Sequence, residues 1–148
     1  MERSQAYHAH KRVIYGLMWP EAKRCYVGQT VDMDRRRKEH QRAWAKPFTM
    51  VTLGEMTGTR AQGEDHEFAW RYRCAESGWT PIAKTKSGEV FVSRPHRHMT
   101  PQRMAIARRC KWPAAYRVNR AALPWWIQWL FWQGGALASV VFMLRMPL

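Results

Sequence analysis

Residues 13–40 read VIYGLMWPEAKRCYVGQTVDMDRRRKEH. Two short β-capable runs lie in this stretch, around Val13-Ile14-Tyr15 and Tyr26-Val27-Gly28. Trp19-Pro20-Glu21-Ala22-Lys23 separates them. Proline breaks a strand and presets turn geometry, so the two runs read as a hairpin, Lys11–Met18 and Cys25–Gln29. Thr30 or Asp32 then caps a helix that runs to about Ala45. Asp32 and Asp34 in its first turn suit the positive end of the helix dipole.

Outward from the hairpin, Phe48–Met56 is rich in β-branched and apolar residues and predicts a third strand. A second helix is expected over roughly Arg60–Glu76, entered at Gly58-Thr59 and ended by Gly78. Phe68, Tyr72 and Ala75 recur along it at helical spacing and are expected to face the core, as is Trp70. Pro81–Lys86 reads as loop, and Glu89–Val92 as a short strand. Thr100-Pro101-Gln102 opens a third helix, MAIARRCKW, with proline at a favourable first-turn position. The expectation is an α+β domain: a small three-stranded antiparallel sheet flanked by helices.

The chain has 148 residues and a formal charge of +14. That length suits one domain with an appendage, and that charge favours polyanions, nucleic acid or anionic lipid. All 11 acids lie at or before Glu89, whereas nine Lys/Arg and no acid follow it. The expected layout is a polar tail over 1–10, a domain over 11–88, a basic extension over 89–120 and a tryptophan-rich apolar segment over 121–148. The three cysteines, Cys25, Cys74 and Cys110, form no C-x-x-C pair, which argues against a zinc framework and suits a reducing cytoplasm. The N-terminus lacks the apolar core of a signal peptide.

Phosphodiester hydrolysis needs an activated water, neutralisation of charge developing on phosphate, and help for the departing oxygen. The stretch that opens the domain offers candidates. Tyr15 and Tyr26 fall on adjacent strands, where cross-strand neighbours approach within about 5 Å. An ordinary tyrosine is a poor base at neutral pH, but nearby cations favour its phenolate. Arg36 and His40 share one helical face at i, i+4. Arg36 can donate two parallel bonds to a phosphate, and His40 can donate or relay a proton. Taken singly, each fragment is ordinary: the tyrosine runs are common strand sequence, and Arg35-Arg36-Arg37-Lys38 is a solvated basic face that binds phosphate non-specifically.

Together, the two tyrosine motifs and the arginine and histidine beyond them resemble the start of the GIY-YIG nuclease domain. The resemblance covers residues 11–86. It implies that Tyr15, Tyr26, Arg36 and His40 line a catalytic face. The family's metal-ligating glutamate lies on a later helix, commonly in E-x-x-W-I; Glu67-Phe68-Ala69-Trp70-Arg71 matches it with Arg71 replacing the isoleucine. Glu67 is therefore the implied ligand of Mg²⁺ or Mn²⁺, with Glu64 the fallback. Two departures stand out. The first motif begins with Val13 rather than glycine, and Lys84 aligns with the asparagine that buttresses the family's site. The resemblance implies a metal-dependent DNA endonuclease of phage, mobile-element, homing or restriction type. The runner-up is an inactive nucleic-acid-binding or membrane-tethered module on the same fold.

DNA is the expected partner. Its expected contacts are Arg35, Arg37, Lys38, Lys84, Lys86, Arg94, Arg97, Arg103, Arg108, Arg109 and Lys111, with Trp112 and Tyr116 interleaved to stack bases. His8/His10 and His96/His98 read as surface residues or phosphate contacts. Ala121–Leu144 has no charge and four tryptophans. It is long enough to span a bilayer, but it also suits a helix lying on a membrane, a helix packed on the domain, or a contact between copies. The expected location is cytoplasmic, with membrane association carried by this segment.

Overall fold

The computed structural model describes residues 8–118. The chain divides into two units, Met1–Arg117 and Val118–Leu148. The first unit contains the strands and helices of the described residues. The tryptophan-rich segment 121–144, with its membrane and oligomer readings, lies outside the described residues. Among those described, no helix is long and apolar enough to cross a membrane.

Strand β1 (His10–Trp19) turns through Pro20 into β2 (Arg24–Thr30). The two pair antiparallel, with Tyr15 opposite Gly28 and Leu17 opposite Tyr26. The tyrosines are thus diagonal on one face rather than directly opposed. Helix α1 (Met33–Ala43) comes next, capped by Asp32, whose side chain accepts from the Arg35 N–H. Strand β3 (Thr49–Gly58) pairs antiparallel with the other edge of β1, with a bulge beside Ile14 and Tyr15. Helix α2 (Arg60–Glu76) opens with a reciprocal capping box between Thr59 and Gln62. Gly78, at φ 83°, turns the chain out of it.

The sheet then departs from expectation. Thr80–Lys84 is a strand, β4, and runs parallel to β2. Strand β5 (Val90–Val92) pairs antiparallel with β4. The result is a five-stranded mixed sheet in the order β3-β1-β2-β4-β5, not three antiparallel strands. Pro81 made this segment read as loop, because proline cannot donate to a ladder. Here it is the second residue of the strand, and its carbonyl accepts from the Ser93 N–H at 2.8 Å. The boundary read at Glu89 consequently falls inside one compact unit.

The core lies between the sheet and α2, around Ile14, Val27, Cys25, Trp70 and Cys74. The buried residues of α2 are Gly63, Ala69, Trp70 and Cys74, so the core stripe runs through Trp70, as expected, but lies on the face opposite the Phe68–Tyr72–Ala75 line. After β5 come a short 3₁₀ turn (Pro95–His98) and α3 (Pro101–Arg109), capped by Thr100. Trp112 is 1% exposed, beside Trp79, and donates its indole N–H to Tyr116 O. It is core, not a stacking platform.

Candidate active site

A cavity of about 620 Å³ opens where β1, β2, α1 and α2 converge. Tyr15, Tyr26, Arg36 and Glu67 all line it. Its wall carries five arginines, Arg12, Arg35, Arg36, Arg60 and Arg71, against two glutamates, Glu64 and Glu67. Residues 52 positions apart in sequence meet here because α2 returns across the sheet beside the β1–β2 hairpin. Gly28 makes the approach close enough: a Cβ at that position would lie 2.5 Å from the Tyr15 hydroxyl. Gly63 serves α2 likewise, since the Gln29 side chain occupies the space a Cβ would need.

His40 does not line the cavity. It is 9% exposed and lies behind Tyr15, with its Nε2 2.7 Å from the Tyr15 Oη. Its Nδ1 accepts from the Trp44 indole N–H at 3.2 Å. Trp19, Tyr26, Trp44 and Phe48 wall this region with edge-on and tilted ring contacts. Burial, then the Arg36 charge, push the histidine down to about pKa 4; Glu39 pulls the other way, and Lys84 adds a smaller downward push. His40 is therefore neutral at physiological pH.

Burial also decides the tyrosines. It raises Tyr15 and Tyr26 above the ordinary phenol value, and the cations beside them only offset part of this. The expectation that the local charge favours a phenolate is reversed, because desolvation outweighs it.

Arg36 bonds Glu39 at 2.9 Å through Nη1. Among the described residues, neither its Nε nor that of Arg71 has an acceptor. Both Nε atoms are buried, so what faces the cavity is the positive charge of the two guanidinium groups rather than these N–H donors. Glu67 is held by Arg71 at 2.8 Å, and Arg71 Nη2 also donates to Val27 O. Burial raises the Glu67 pKa, and Arg71 and a Gln29 hydrogen bond oppose the rise. Among the described residues, no three His, Cys or carboxylate side chains gather to hold a metal ion. The donor set fits a hard divalent cation that takes one protein carboxylate with water and phosphate oxygens, with Arg71 competing for that carboxylate.

Lys84 is turned to other work. Its Nζ donates to Ala43 O at 3.1 Å and lies 4.1 Å from the Trp44 ring centroid. Arg103, also expected on nucleic acid, bonds Asp65 and His98 O at 2.7 Å each and lies over the Phe68 ring. Arg35, Arg37, Lys38, Lys86, Arg94, Arg97, Arg108, Arg109 and Lys111 are exposed. His96 and His98 are exposed too, against the Tyr72 and Phe68 rings.

Sequence reasoning passed over Arg12, Gln29, Trp44 and Arg71. Two of these carried a signal: Trp44 is i+4 from His40, and Arg71 is i+4 from Glu67. The chain shows no significant match to a family model, a curated protein or a solved structure.

Proposed function

We propose that the protein is a metal-assisted DNA endonuclease of the GIY-YIG type, hydrolysing a phosphodiester bond in the arginine-lined cavity. One observation carries this reading. Tyr15, Tyr26, Arg36 and Glu67, named from a sequence resemblance, line a single polar cavity with an excess of three positive charges.

In this reading the phosphate of the substrate sits against Arg36 and Arg71, whose guanidinium groups line the cavity and can donate to its oxygens. Arg12, Arg35 and Arg60 add to the field that draws a polyanion in. The attacking water lies against Tyr26, which orients it. A divalent ion held by Glu67 would, when bound, neutralise charge on the phosphate and the departing oxygen. The exposed cations of α1 and of the segment after β5 hold the DNA backbone. The alternative, a DNA-binding module without turnover, is favoured by the Arg71–Glu67 ion pair, because Arg71 already neutralises the carboxylate that would hold the metal.

Plasmid cleavage with Mg²⁺ or Mn²⁺ separates the two. Wild type is expected to nick or linearise DNA, with Glu67→Ala and Arg36→Ala binding without cutting. Salt-sensitive binding with no cleavage in either metal would leave the binding module.

A further inference from the structure

The Trp44 indole nitrogen can only donate a hydrogen bond, so the His40 Nδ1 it contacts must be a bare acceptor. A neutral imidazole carries one proton, which must then reside on Nε2. Nε2 faces the Tyr15 Oη at 2.7 Å, so the histidine donates and the tyrosine accepts. The tyrosine's own proton cannot go to His40 and is left for the cavity that Tyr15 lines.

Trp44 is held for this task from two sides. Its backbone N–H donates to His40 O at 3.0 Å, closing the last turn of α1. The Lys84 ammonium lies over its ring, fastened to Ala43 O. Lys84 reaches these groups from β4, on the far side of β2 from β1. Trp19 packs against the ring at 4.9 Å.

We infer that Trp44, backed by Lys84, is a positioning residue that locks His40 in the Nε2–H tautomer, so that Tyr15 presents its O–H as a donor to an anionic oxygen bound in the cavity. His40 and Tyr15 therefore do not form a relay that carries a proton from tyrosine to histidine. Tyr15 acts as a neutral hydrogen-bond donor toward the phosphate, and His40 fixes its direction. The role of Tyr15 in cleavage rests on the nuclease reading; the tautomer does not.

The test is long-range ¹H–¹⁵N spectroscopy of the histidine side chains in the full-length protein near neutral pH, with His40 assigned by comparison with His40→Gln. A protonated Nε2 and a bare Nδ1 are expected. A protonated Nδ1 overturns the inference. In Trp44→Phe, which keeps a ring and removes the donor, His40 is expected to populate both tautomers while the backbone spectrum stays folded. Lys84→Met is expected to shift the balance in the same direction by less, and keeps the test alive if Trp44→Phe does not fold. Retention of a pure Nε2–H form in both variants overturns the role of Trp44. If wild type cleaves, Trp44→Phe should cut roughly tenfold more slowly, the rate equivalent of losing about one orienting hydrogen bond. Unchanged cleavage alongside mixed tautomers overturns the catalytic part. The expected tautomer in a protein that never cuts overturns the nuclease reading and leaves the lock standing.

Discussion

Gly28 faces the Tyr15 hydroxyl across the hairpin, and the space between them admits no methyl group. Gly28→Ala should therefore displace Tyr15 from His40 and cost about 1–3 kcal/mol, as overpacking does. Urea unfolding of Gly28→Ala and of the double variant with Tyr15→Phe checks the cause. Removing the hydroxyl that the methyl strikes should recover part of the loss, and strictly additive effects would rule the contact out. Glu67 offers a second test on single side chains. Arg71 holds its carboxylate in a mostly buried ion pair, so Arg71→Leu frees that carboxylate for a cation. Mn²⁺ titration by calorimetry should show tighter binding than wild type. Weaker or equal binding would mean that Arg71 does not compete with a metal there.

Helix α1 delivers His40 to a buried, aromatic place, and this couples the helix to pH. The folded protein holds His40 near pKa 4, below the ordinary value of about 6.5, so the unfolded chain binds the extra proton more readily. The associated stability is complete above about pH 6.5, declines on acidification, and is fully lost only below about pH 4. Its size is at most roughly 3 kcal/mol. Urea midpoints should fall more steeply over this range in wild type than in His40→Gln, and parallel curves would refute the linkage. Helix α2 depends on its capping box; Thr59→Ala should cost about 1 kcal/mol, read as a lower thermal midpoint. Such local devices were legible in the sequence. Asp32, Thr59 and Thr100 each sit where a side-chain oxygen can reach an open helical N–H, and the hairpin announced itself through Pro20. Strand β4 was not legible, because its parallel partner lies more than 50 residues earlier and Pro81 hides its strand character. The site was legible in part. Tyrosine, arginine and glutamate positions could be read from spacing and resemblance, but burial could not. Burial is what turns His40 into an inner residue and raises both tyrosines, and tertiary contact is what sets Lys84 over Trp44.

Over the whole molecule, a formal charge of +14 dominates long-range behaviour. Charge alone binds any polyanion, so what matters is which cations are free to meet phosphate. Arg94 and Arg97 are exposed around the 3₁₀ turn beside α2, whereas Arg103 is tied to Asp65 and His98 O. These residues should therefore respond differently to the same substitution. If the protein binds DNA as proposed, the logarithm of its affinity should fall linearly with the logarithm of salt concentration, with a slope that counts the phosphates neutralised. Arg94→Gln with Arg97→Gln should lower that slope by about two and weaken binding to all sequences alike, with little change in stability. Arg103→Gln should leave the slope nearly unchanged and lower the unfolding midpoint, because it strands Asp65 and uncovers Phe68. Fluorescence anisotropy over a salt series, paired with thermal unfolding of the same variants, reads both effects. A slope unaffected by the double substitution would place the DNA on another face. A slope change in Arg103→Gln with no loss of stability would show that the ion pair opens to take phosphate.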